Sequence, residues 1–124
     1  MRKLKLNLKK TIFLDIDGCL IKHNGTLSSQ VTKEPELLPG TIEKLDEWEA
    51  AEHKIILTTG RKESMRRATE KQMKKLGIFY DQLVMGCNRG TRVIINDKKP
   101  DYPELKVAKK IEIDRNIGIK DIKL

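Results

Sequence analysis

Two short apolar runs, each cut off by a polar turn and separated by a stretch of helical periodicity, constrain this chain more than any other feature. Thr11-Ile-Phe-Leu14 runs into Asp15-Ile-Asp-Gly18, and Lys54-Ile-Ile-Leu-Thr58 runs into Thr59-Gly60-Arg61. β-Branched and aromatic runs of this length read as strands. Between them Pro39-Gly40-Thr41 opens a helix, with Thr41 as N-cap, Ile42, Leu45 and Trp48 on one face, and an end near Glu52. A second helix is expected over 64–76, stopped by Gly77, with Met65, Met73 and Leu76 as packing residues. Further strands are expected at 83–85, 92–96 and 107–113. Residues 20–40, with Gly25, Ser28, Ser29, Pro35 and Pro39, read as a loop with room for a short hairpin.

Strand, helix, strand, helix, strand is the order of an α/β domain, and fully apolar strands fit a mostly parallel sheet. The expectation is therefore one domain over 1–124 with about five strands and few helices. Its length allows roughly two-thirds of the unfolded surface to be buried, enough for a hydrophobic core. The third and fourth strands are separated by residues 86–91 alone, too few for a crossover helix. If the fourth strand is parallel, one apolar sheet face lacks a helix, and self-association is expected through that face or through the 20–40 loop. A homo-oligomer follows.

Composition narrows the function classes. No stretch approaches the ~20 apolar residues of a spanning helix, and the first ten residues lack the apolar core of a signal peptide. With two cysteines, Cys19 and Cys87, a disulfide scaffold is out. A soluble, cytoplasmic protein with no membrane role is expected. Lys and Arg number 26 against 18 Asp and Glu, a net charge of +8. Residues 1–10 hold five bases and no acid; residues 61–75 hold seven bases against Glu63 and Glu70. Such a field attracts phosphates. Two Phe, two Tyr and one Trp give little for base stacking, so nucleic acid is not the favoured partner.

In an open α/β sheet, ligands bind at the carboxyl ends of the strands. Asp15 and Asp17 follow the first strand, Thr58 and Thr59 the second, and Asn96 and Asp97 the fourth. Two carboxylates that close need a cation or a shared proton. Mg²⁺ suits them, held by one or two carboxylates and a substrate phosphate, with Asp97 or the Asn96-Asp97 pair on the far side. Thr59 and the Gly60 N–H, at the mouth of a helix, suit phosphate oxygens. His23 and His53 lack ligand partners at metal spacing and read as surface and turn residues, His23 in the loop overhanging the site. Trp48 reads as core.

Phe13-Leu-Asp-Ile-Asp-Gly-Cys-Leu20 resembles the first motif of the haloacid dehalogenase (HAD) superfamily of phosphohydrolases. Leu57-Thr-Thr-Gly-Arg61 resembles its second motif and Val93-Ile-Ile-Asn-Asp97 its fourth. The resemblance runs from about Lys10 to the C-terminus. It is nearest to small members among bacterial polysaccharide and sugar-nucleotide genes, on the runs from Gly90 to Pro100 and from Asp114 to Gly118. It implies a Rossmann-like core with 20–40 as a minimal cap, and a two-step phosphoryl transfer. In that transfer Asp15 is the nucleophile, Asp17 the general acid and base, and Thr59 a phosphate ligand. Asp15, the Asp17 carbonyl and Asp97 would hold Mg²⁺. The third-motif Lys is not where the family has it. Cys87 and Asn88 occupy that stretch, Arg89 is the candidate substitute, and Arg61 and Arg92 stand in reserve. Cys19 replaces the Thr often found after the first-motif Gly and reads as an inert small side chain.

The substrate implied is a sugar phosphate or related small metabolite. Two rivals remain open. The stretch from Thr59 to Arg67 with the +8 charge also resembles the phosphatase halves of polynucleotide end-healing enzymes, which release 3′-phosphates. The departures at Cys87 and Asn96 instead fit a weakened domain that binds a phospho-ligand or a partner protein.

Overall fold

The computed structural model describes residues 8–124, so most of the basic N-terminal run lies outside the described residues. Three strands, β1 (Thr11–Asp15), β2 (Lys54–Thr58) and β3 (Gln82–Val84), form one parallel sheet in the order β1-β2-β3. The register sets Asp15 opposite Thr58 and Thr58 opposite Val84, so the three strands end side by side. The expected α/β architecture with few helices is what forms.

Helix α1 (Leu27–Thr32) lies within the segment expected to be a loop, capped by Thr26, whose Oγ1 accepts from the Ser29 N–H. Helix α2 (Thr41–Ala50) connects β1 to β2, and α3 (Arg66–Leu76), led in by a 3₁₀ turn at Glu63–Met65, connects β2 to β3. Gly77, in the left-handed conformation, ends α3 as expected. The N-cap of α2 is Gly40 rather than Thr41. Thr41 is buried instead, its hydroxyl reaching the carbonyls of Leu20 at 2.7 Å and Leu38 at 3.1 Å. Gly40 has φ +85, and a Cβ there would come within 2.3 Å of Lys120 Cα. Gly118 is its counterpart, with φ +89 and a would-be Cβ 2.4 Å from the Pro39 carbonyl oxygen. The C-terminal segment is thus locked against the start of α2, and Ile119 enters the core.

Consecutive strand order with two crossovers of one hand places α2 and α3 on the same side of the sheet. Leu14, Ile55, Leu57 and Leu83 point to that side and are buried with Leu45 and Trp48 of α2 and Met73 of α3. Alternation sends Phe13, Ile56 and Val84 to the other side. There Phe13 stays 55% exposed and Val84 43%, on a face with no helix over it among the described residues.

The expected fourth and fifth strands do not form: residues 92–96 and 107–113 have no ladder partner among the described residues. Topology gives the reason for the fourth. β3 ends at the same sheet edge as Asp15, and the chain then crosses that edge, with Gly86 N–H donating to the Arg61 carbonyl and Cys87 N–H to the Thr59 carbonyl. It reaches Arg92 near the carboxyl end of β1, whereas a parallel fourth strand must begin at the opposite end. The short connection is spent on the crossing, and Val93, Ile94 and Ile95 stay exposed. No helix among the described residues is long and apolar enough to cross a membrane.

Candidate active site

Asp15 closes β1 at the carboxyl end of the sheet, the position from which a strand residue can face a ligand. One carboxylate oxygen, Oδ1, accepts from the Ile16 N–H at 3.0 Å. Burial pushes the carboxyl above its ordinary value; that hydrogen bond and the charge of Arg92 pull it down, Asp17 pushes it up, and His23 pulls it down. The residue as a whole remains exposed.

The chain then folds tightly on Ile16, whose carbonyl accepts from the N–H groups of Cys19, Leu20 and Ile21. This turn swings Asp17 inward. Arg61, fully buried, meets it with two parallel bonds, Nε to Oδ2 at 2.9 Å and Nη2 to Oδ1 at 2.8 Å. Fork-on-carboxylate geometry of this kind is among the stronger charge-assisted contacts. The remaining nitrogen, Nη1, donates to Thr69 Oγ1 at 3.1 Å and Gln72 Oε1 at 2.6 Å, both on α3. Gln30 of α1 donates through Nε2 to Asp17 Oδ1, and Gln72 Nε2 donates to the Gln30 carbonyl at 2.7 Å. Asp17, Arg61, Gln72 and Gln30 form one buried polar hub. No buried side-chain polar atom among the described residues lacks a partner.

Thr59 is 1% exposed, donates its N–H to the Val84 carbonyl and accepts the Arg61 N–H on Oγ1 at 3.1 Å. Its hydroxyl hydrogen is the donor it has for a phosphate. Gly60 is exposed beside it, with room for a Cβ only at 3.5 Å from the Cys87 carbonyl oxygen. Thr58 lies half-buried next to Asp15 in the sheet. His23 is half-buried, its N–H donating to Asn116 Oδ1 at 2.7 Å, while Asn116 N–H donates to the Gly18 carbonyl. Burial first, then Asp15 and Asp17, push the Cys19 thiol up to about 11, which keeps it protonated and inert.

Asn96 and Asp97 are both exposed, and both meet Lys99. Asp97 is exposed, and its carboxylate accepts from Lys99 Nζ, which holds it below the usual carboxylate range; Asn96 Oδ1 accepts from the same Nζ at 3.4 Å. Among the described residues no group of three or more His, Cys, Asp and Glu is placed to hold a metal ion. What the site offers a divalent ion is the Asp15 carboxylate, a one-carboxylate arrangement that Mg²⁺ accepts when waters and a substrate phosphate complete its shell.

Of the three candidate cations for the third motif, Arg61 is committed to Asp17, and Arg89 and Arg92 are both exposed, with the charge of Arg92 pulling the Asp15 carboxyl down. Gln30, Thr69, Gln72 and Asn116 were not legible as site residues. A signal existed for two of them: Thr69, Gln72 and Met73 form the buried stripe of α3, and two polar residues on a buried stripe need an internal partner.

A family model described as haloacid dehalogenase-like hydrolase matches residues 12–114. The chain belongs to this family. No curated protein matches it. Among solved structures, this HAD-like hydrolase is similar to a Pnkp1/Rnl/Hen1 complex, with 26% identity, a TM-score of 0.57, and coverage of 74% of this chain and 33% of that one. A Pnkp1/Rnl/Hen1 RNA repair complex is similar at 25% identity and TM-score 0.57, over 73% of this chain and 30% of that one. The chain thus spans about a third of the length of these relatives. A crystal structure from Vibrio cholerae shares the fold at 18% identity and TM-score 0.51, covering 79% of this chain and 90% of that one.

Proposed function

We propose that this HAD-like hydrolase cleaves phosphomonoesters through an aspartyl-phosphate on Asp15. The observation that carries the reading is a pair of acids two residues apart in opposite environments, Asp15 open at the sheet edge and Asp17 held by buried Arg61. Two acids in different environments take different roles, one attacking and the other passing a proton. Asp15 attacks phosphorus, and its new O–P bond replaces the ester bond while Asp17 gives a proton to the departing alkoxide. Asp17 then takes a proton from the water that breaks the Asp15–phosphoryl bond. Thr59 and the Gly60 N–H hold phosphate oxygens, and Arg92 supplies the cation, in place of Arg89. Mg²⁺ is part of the proposal on family membership; Asp15 would hold it with the phosphate and waters, and it would neutralise charge. The substrate class proposed is a sugar phosphate or related small metabolite, on the resemblance to small sugar-nucleotide-cluster members; the small 20–40 cap leaves an open site that also admits larger substrates. The protein works as a homo-oligomer in the cytoplasm.

A second reading has an observation of its own. The structures of 26% and 25% identity belong to Pnkp1/Rnl/Hen1 complexes, one of them described as an RNA repair complex. Lys62, Arg67, Lys71 and Lys74 lie exposed at and along α3, close in sequence to Arg61. A polynucleotide 3′-phosphatase would use that face for the phosphate backbone, with affinity falling steeply as salt rises.

One assay separates these: p-nitrophenyl phosphate, a sugar-phosphate panel and a 3′-phosphorylated oligonucleotide, each with Mg²⁺ and with chelator. Preferential release from a sugar phosphate supports the first reading and from the oligonucleotide the second. Ligand binding without turnover on any substrate supports the weakened binding domain and contradicts both.

A further inference from the structure

We propose that Gln30 is a positioning residue for Asp17, and that together with Arg61 it assigns Oδ2 of Asp17 as the oxygen that exchanges a proton with substrate. The inference rests on the phosphohydrolase reading above and adds a residue and an atom to it. A carboxylate has about four lone-pair sites. Oδ1 accepts from both Arg61 Nη2 and Gln30 Nε2, so its two sites are filled. Oδ2 accepts from Arg61 Nε, and among the described residues from no other donor, which leaves one site for a proton. The geometry is held from two sides. Arg61 is fixed by Thr69 and Gln72 of α3, and Gln30 Nε2 also donates to the Lys22 carbonyl at 3.1 Å. The small cap is thereby tied to the acid that serves the reaction. Gln72 bonds the backbone carbonyl of Gln30, not its side chain, so the docking of α1 on α3 does not depend on the amide that reaches Asp17.

Gln30→Met keeps the length and offers no donor to Oδ1, while the Gln72 bond survives; it also frees the Asn24 N–H and the Lys22 carbonyl, at the exposed start of the cap. With Oδ1 held by Arg61 Nη2 alone, its freed site competes with Oδ2 for the proton, and proton delivery suffers more than phosphate binding. Phenyl phosphate and p-nitrophenyl phosphate distinguish the two, because phenoxide is the more basic leaving group and needs the proton more. The expected result is a drop in kcat of about tenfold on phenyl phosphate against about twofold on p-nitrophenyl phosphate, with KM unchanged within about twofold. Equal losses on both substrates, or none, overturn the proposal. A wild-type protein that hydrolyses neither substrate defeats the phosphohydrolase reading instead. The Asp17 clamp then stands or falls on hydrogen exchange of the Arg61 Nε–H, followed by NMR. About tenfold faster exchange in Gln30→Met supports the clamp, and unchanged exchange overturns it.

Discussion

Asp15 and Asp17 show how far two identical side chains can diverge within three residues. Burial raises the folded-state pKa of Asp15 above that of the unfolded chain. The sign of the linkage follows: above both values the folded protein carries an ionised carboxylate that the unfolded chain solvates better, so Asp15 costs stability at neutral pH. Asp15→Asn is expected to abolish hydrolysis, by at least about 10³-fold, and to raise Tm at pH 7. The stability gain should shrink as pH falls toward the ordinary carboxylate range, where the native Asp15 takes up its proton. Scanning calorimetry at pH 7 and pH 4 checks it; a lower Tm for the variant at pH 7 contradicts it. Cys19 makes a second prediction. With its thiol pushed up to about 11, alkylation by iodoacetamide at pH 8 should run at least about tenfold slower than that of a small free thiol. Peptide mass spectrometry reads the rate directly.

At the scale of elements, the buried Arg61 joins the second motif to α3 and to the first motif. Arg61→Met removes one partner of a buried pair and should cost about 3–5 kcal/mol in chemical denaturation, because Asp17 is left without its counter-ion. A loss below about 1 kcal/mol would show that the pair holds little of the fold. Gly40→Ala and Gly118→Ala each force a side chain into backbone less than 2.5 Å away, at a positive φ, and should each cost more than about 1 kcal/mol. What was legible at this scale follows from period and punctuation. β1, β2, α2, α3 and the Gly77 stop were readable because apolar runs and their stops agree locally. Residues 92–96 looked like a strand for the same reason: Val93, Ile94 and Ile95 have strand propensity. Propensity says nothing about whether the chain arrives at the correct end of the sheet, and there the connection decided. Thr41 failed differently, since a hydroxyl that suits an N-cap also suits two buried carbonyls. The hub around Asp17 was half legible, with Arg61 a reserve cation and Gln30, Thr69 and Gln72 unread, because a polar residue inside a helix announces its burial only through the stripe it shares.

Among the described residues the parallel sheet carries its helices on one side; the other side holds Phe13 and Val84, exposed, and Ile56, half-buried, and the run at 93–95 is exposed as well. Water-exposed apolar surface of this kind marks an interaction site, and self-association through it is the proposed consequence. Sedimentation velocity at micromolar concentration should show a species larger than a monomer, and Phe13→Lys should shift it toward monomer; a wild-type monomer throughout contradicts it. The central claim, that Asp15 accepts the phosphoryl group, has a more direct test. Acid quenching during turnover of p-nitrophenyl phosphate with Mg²⁺, followed by proteolysis and mass spectrometry, locates any phosphoryl adduct. The expected adduct lies on the peptide carrying Asp15 and vanishes in Asp15→Asn; hydrolysis that persists in that variant, or an adduct on another residue, contradicts the account.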